Sequence, residues 1–114
     1  MIETKIYVGL NDSQTLKQER ETEQYISVLK SVCRSYRVPF SFILEHGGYM
    51  HENGQYTQEQ TLVISLIDVP AEIMQEIAKD LCVFFNQESV MITENRVKVC
   101  FISEGPLKKT GPAK

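Results

Sequence analysis

The dipeptide Asn53-Gly54 lies between two long runs of strand-forming residues, and no other feature of the sequence restricts the fold as tightly. Asn and Gly most readily take the positive φ values of a type I′ turn. Residues 40–50 and 55–67 are therefore predicted to be the antiparallel arms of one hairpin. In the first arm Phe40, Phe42 and Leu44 alternate with Ser41, Ile43 and Glu45, and Gly47-Gly48 predicts a bulge or a close approach of backbones. The end of the second arm, TLVISLI at 61–67, is too apolar for an exposed edge and is placed in the middle of a sheet.

On either side of the hairpin the same pattern repeats. Residues 3–10 carry Ile6, Val8 and Leu10 on one parity and Lys5 and Tyr7 on the other, as a half-exposed strand does. Asn11-Asp12-Ser13 then opens a polar loop reaching about Glu21, and a loop this long in a small domain points to function. Tyr25, Val28, Leu29, Val32, Cys33 and Tyr36 form one helical face, and that helix must end before Pro39. After the hairpin, Asp68 is predicted to cap a second helix with Pro70 near its first turn. Its buried stripe is Ile73, Met74, Ile77, Leu81, Phe84 and Phe85, and Asn86 stops it. Short strands at 89–93 and 97–102 follow, divided by Glu94-Asn95.

This order defines an α+β, ferredoxin-like split βαβ sandwich: β-α-β-β-α-β plus a short extra strand, an antiparallel sheet with two helices on one face. A chain of 114 residues has room for one core, assigned to residues 1–102, with 103–114 as a flexible basic tail. The sheet face left bare by the helices offers a homodimer contact. No apolar stretch approaches the ~20 residues that span a bilayer, and the N-terminal residues enter a strand without a basic leader, so a cytoplasmic protein without membrane contact is expected.

Charge is segregated along the chain. Residues 45–94 hold nine Asp and Glu against Lys79 alone, a net of −8, whereas 1–44 carry +1 and 95–114 carry +4. Such an acidic middle repels phosphate backbones and attracts basic surfaces, which argues against nucleic-acid binding by the folded body. Glu45, Glu52, Glu59, Glu72, Glu76 and Asp80 are the residues expected to contact a basic protein, one that itself handles nucleic acid. Cys33, Cys82 and Cys100 are far apart in apolar segments, without C-x-x-C or zinc-finger spacing, and read as buried hydrophobes.

Few residues suggest chemistry. The segment 45–52 gathers His46, His51, Glu45 and Glu52 around the hairpin, a weak candidate for a metal or proton-transfer site because 46 and 51 have opposite strand parity. Tyr7, Tyr49 and Tyr56 would line a pocket on an open sheet. The glycine pair is followed by neither Lys-Ser/Thr nor a helix start, so there is no phosphate loop, and no G-x-S-x-G elbow is present. RNA-recognition domains share this element order but use a basic sheet, where this one is acidic.

Tyr7-Val8-Gly9-Leu10-Asn11-Asp12, Thr61-Leu62-Val63-Ile64 and Phe85-Asn86-Gln87-Glu88-Ser89-Val90, in this order, resemble a family of small bacterial proteins carried on plasmids and conjugative elements. The resemblance covers roughly residues 5–93 and implies no enzyme activity and no cofactor. Gln87-Glu88-Ser89 lies where the second helix hands over to a strand, so its polar groups are expected to satisfy loop backbone groups; the alternative is a recognition patch of Asn11, Asp12, Ser13, Gln87 and Glu88, if the exit of the first strand and the start of the last converge at one edge. The reading reached from sequence is a non-enzymatic binding module with an acidic surface, an inhibitor of a nucleic-acid-handling defence nuclease of the anti-CRISPR kind. The alternatives are a small-molecule or metal site at the His46–His51 hairpin, and a structural accessory subunit.

Overall fold

A computed structural model of the chain describes residues 1–50 and 52–104; His51 and the tail from 105 onward lie outside the described residues. Six elements follow in order: β1 (Ile2–Gly9), α1 (Thr22–Ser35), β2 (Ser41–Met50), β3 (Tyr56–Ile67), α2 (Ala71–Phe84) and β4 (Met91–Arg96). The strands form one antiparallel sheet in the order β2-β3-β1-β4, the split βαβ arrangement expected from the sequence.

The core lies between the sheet and the two helices. Ile6 and Val8 of β1 face Ile64 and Leu62 of β3 in register, and Leu29, Cys33, Ile77 and Leu81 descend on them from the helices, all fully buried. Each side chain of this size contributes about 1.5–3 kcal/mol when taken from water. Tyr25 and Phe85 close one end, with ring centroids 5.0 Å apart. Helix α1 starts where the sequence places it, with the Glu21 N–H donating to Gln24 Oε1 (3.0 Å), and it ends at Arg37, whose φ of 57° breaks the helix before Pro39.

Several local expectations are corrected. Asp68 does not cap α2: it adopts φ 52°, and its Oδ1 accepts the Ile2 N–H at 2.8 Å, tying the start of β1 to the end of β3, while Pro70 takes the cap position. The hairpin does not close on a two-residue type I′ turn. The last pair among the described residues is Met50 with Tyr56, Gly54 alone of the dipeptide has positive φ, and Asn53 Oδ1 accepts the Gln55 N–H. No bulge forms at Gly47-Gly48, where the register runs unbroken from Ser41↔Ser65 to Met50↔Tyr56.

Two more corrections concern the C-terminal part. Phe84 is exposed rather than buried, because α2 turns it away from the sheet while Phe85 goes in. The last strand, β4, runs straight through Glu94 and Asn95, and 97–102 is not a strand. Val97 and Met1 exchange backbone hydrogen bonds, and among the described residues no strand pairs with 98–102. Cys100 is consequently exposed and Cys82 half-buried; only Cys33 is the buried hydrophobe the sequence suggests.

Candidate functional site

Strand β3 outruns β1. Past Gly9, the first strand turns into the 11–20 loop, leaving residues 56–60 of β3 and the facing part of β2 to form a ribbon beyond the helices. The loop folds back on this ribbon through four hydrogen bonds. Leu10 N–H donates to Gln60 O (2.9 Å), Asn11 N–H to Glu59 Oε2 (3.0 Å) and Asn11 Nδ2 to Gln58 O (3.2 Å), while Thr22 Oγ1 at the start of α1 donates to Gln60 Oε1 (2.7 Å). Gln18 Nε2 in turn donates to Thr22 Oγ1.

The loop is built around Asp12. Its Oδ1 accepts the N–H groups of Gln14 (2.7 Å) and Thr15 (3.1 Å), and its Oδ2 accepts Asn86 Nδ2 (2.7 Å). The amide of Asn86, and after it the two backbone N–H groups, hold the Asp12 carboxyl below its ordinary value of 3.8. Ser13 N–H donates to Asn86 O, and Gln87 Nε2 to Asn11 O. Of the patch singled out in the sequence, Asn11, Asp12, Ser13 and Gln87 are thus brought together, with Asn86, read there only as a helix stop, joining them and the end of α2 clamping the loop.

Two clefts open where loop and ribbon meet. The larger, about 640 Å³, runs between Leu16, Lys17 and Gln18 on one side and His46, Tyr56 and Gln58 on the other. The smaller, about 240 Å³, lies between Tyr49 and the Asp12–Ser13 turn, with Glu88 and Ser89 at its rim. Asn11, Leu16 and Glu59 border both.

Two glycines make this geometry possible. A Cβ at Gly9 would lie 2.6 Å from Glu59 Cδ, and one at Gly48 would lie 2.5 Å from Tyr56 Oη. Real Cβ contacts do not come so close, so Gly9 leaves the space that the Glu59 carboxylate occupies, and Gly48 the space over which the Tyr56 ring lies. Sequence reasoning took the Gly47-Gly48 pair for a backbone irregularity and attached nothing to Gly9; neither contact leaves a trace in local pattern, because both cross between strands.

The six acids expected to share one surface are divided between the hairpin and a helix. Glu45 and Glu59 are on the hairpin arms and Glu52 is in their connection, whereas Glu72, Glu76 and Asp80 are on α2. Three of the six have partners within the chain: Glu59 accepts from Asn11, Glu76 pairs with Lys79 (3.3 Å) and Asp80 accepts the Tyr36 hydroxyl (2.8 Å). His46 lines the larger cleft; Tyr7 is half-buried in the sheet opposite Val63, away from both clefts. Among the described residues, no three His, Cys, Asp or Glu side chains gather as a metal site would require, and no helix is long and apolar enough to cross a membrane.

No protein-family model matches the sequence, and no curated protein does. Solved structures do match. A phage SAM lyase in its apo state aligns with a TM-score of 0.64 and 25% identity over 82% of this chain and 78% of that one. The same enzyme in complex with S-methyl-5′-thioadenosine gives 0.62 and 24% over 82% and 79%. CutA1 from Pyrococcus horikoshii (0.51, 12% identity, 91% and 88%) and the B. subtilis GlnK–ATP complex (0.50, 16%, 82% of each) share the fold alone.

Proposed function

We propose that the larger cleft, which shares Glu59 with the smaller one, forms a small-molecule site for an adenosyl sulfonium or its thioether product, and that the protein acts on S-adenosylmethionine. The observation that carries this reading is the half-buried Glu59 carboxylate, held at the boundary of both clefts against a glycine that leaves it room. A sulfonium is a cation without hydrogen-bond donors on sulfur; an oriented carboxylate and aromatic faces are the groups that attract it. Tyr56 supplies such a face in the larger cleft, which also suits an adenine ring, and Asn11, Gln58 and Gln60 supply amides for its polar edges. The larger cleft falls within the 300–1,000 Å³ typical of small-molecule sites. The likeness to a SAM lyase seen with S-methyl-5′-thioadenosine supports the same ligand class.

In lyase-type cleavage the substrate's own carboxylate oxygen bonds to its γ-carbon as the bond from that carbon to sulfur breaks; the electron pair of the broken bond goes to sulfur, and a neutral thioether and an amino-lactone leave. Removing S-adenosylmethionine withdraws the donor for DNA methylation, a chemical route by which such a protein would still act against nucleic-acid defence. Titration by calorimetry with S-adenosylmethionine and with S-methyl-5′-thioadenosine tests the reading, with chromatography for released thioether separating an enzyme from a binder. Binding of at least one ligand, weakened about tenfold or more by Glu59→Gln, is expected. Absence of binding by either at millimolar concentration rejects it.

A second reading, docking of a basic nucleic-acid-handling protein, is favoured by the exposure of Glu72 and Glu76 on α2. It would use α2 alone, and Glu72→Lys with Glu76→Lys would abolish capture without affecting the titrations above.

A further inference from the structure

We propose that residues 97–102 of one copy add as a strand to the free edge of β2 in a second copy, so that the protein assembles with itself head to tail. The segment VKVCFI has the composition of a strand, yet among the described residues no strand pairs with it after Val97, and Phe101 and Ile102 are 89% and 90% exposed. Strand β2 has the opposite deficiency. It is an outer strand of ten residues, paired on one side only, and its Ile43 is exposed while Phe42 and Leu44 are only partly covered. A long apolar edge of this kind invites another strand.

The two segments fit in one antiparallel register. With Cys100 set opposite Ile43, Lys98 falls opposite Glu45 and Ile102 opposite Ser41 on the sheet face away from the helices. On the helix side the same register pairs Phe101 with Phe42 and Val99 with Leu44. Val99, Cys100 and Phe101 then meet apolar residues, and the single cation of the segment meets the single carboxylate of the facing stretch. Cross-strand pairs of these types are the ones that stabilise sheets. The chain as a whole repeats the complementarity, with +4 over residues 95–114 and −8 over 45–94. Because segment and edge are different surfaces, the contact is heterologous and propagates until a ring closes.

Light scattering on the full chain is expected to give a discrete oligomer, which Phe101→Glu with Ile102→Glu converts to monomer; both side chains are exposed in the single chain, so its folding is left alone. Glu45→Lys is expected to raise the dissociation constant about tenfold, and Lys98→Glu added to it to restore assembly. Oxidation of Ile43→Cys in a Cys82→Ala background should link copies through Cys100, and Ser41→Cys or Glu45→Cys, displaced by two residues, should link far less. A monomer at 100 μM order concentrations, an oligomer indifferent to the Phe101 and Ile102 changes, or cross-linking without preference for position 43 would each overturn the proposal. Indifference to those changes would make the bare sheet face the interface instead.

Discussion

Strand β3 passes through two environments. From Leu62 to Leu66 it is core, with Leu62, Ile64 and Leu66 under the helices and Val63 buried on the opposite face; from Tyr56 to Gln60 it is the floor of an open cleft. The hydrogen-bonded ladder to β2 is continuous across both halves. What differs is the third layer: helices over one half, and over the other a polar loop held by hydrogen bonds to Asp12, Asn11 and Gln60. The apolar half can be rigid because burial stabilises it. The polar half owes its shape to hydrogen bonds and to two absent side chains, and it is there that groups remain available for a ligand.

The contrast is open to attack in order of expected size. Ile64→Ala should lower stability by about 2–5 kcal/mol in urea unfolding, whereas Gln58→Ala, a few residues away on the same strand, should change it by less than about 0.5 kcal/mol. Equal effects would mean that the hairpin is part of the core. Alkaline pH probes the buried half more gently. Burial pushes the Cys33 thiol up to about 11, above the ~8.5 of a free thiol. Stability is therefore full below pH ~8.5 and falls as pH rises toward 11, by about 1.4 kcal/mol per unit, while Cys33→Ala removes this slope. In the folded protein a thiol reagent should label Cys100 at once and Cys33 only on unfolding.

In the cleft half, Gly9→Ala forces the Glu59 carboxylate off the Asn11 N–H, costing about 1 kcal/mol and reducing ligand binding in the titrations described above; unchanged binding would detach Glu59 from the site. The smallest effect concerns acid. Because hydrogen bonds depress the Asp12 carboxyl, its contribution is constant above the unfolded value near 4 and is lost as pH falls through the lower folded value. The amide resonances of Gln14 and Thr15 should titrate with a midpoint below 3.8 and become flat in Asp12→Asn.

The architecture was readable before any coordinates because apolar periodicity is a local quantity. The alternation at Ile6, Val8 and Leu10 and the stripe from Tyr25 to Tyr36 each report the face an element must bury, and Pro39 and Asn86 mark where helices cannot continue. The convergence of Asn11–Ser13 with Asn86–Gln87 was also within reach, since topology alone brings the end of β1 beside the start of β4. The acids were another matter: their positions in sequence carry no distance between a hairpin and a helix, and three of them proved to be engaged inside the chain.

Sequence by itself determined the element types, their order and the residues of the core, since these follow from side-chain polarity taken at periods of 2 and 3.6. Only tertiary structure decided that no strand among the described residues pairs with 98–102, that Asp68 secures β1 rather than a helix, and that Gly9 and Gly48 admit Glu59 and Tyr56. Each of these depends on which strand lies alongside which, and that information resides in contacts between residues far apart in the chain.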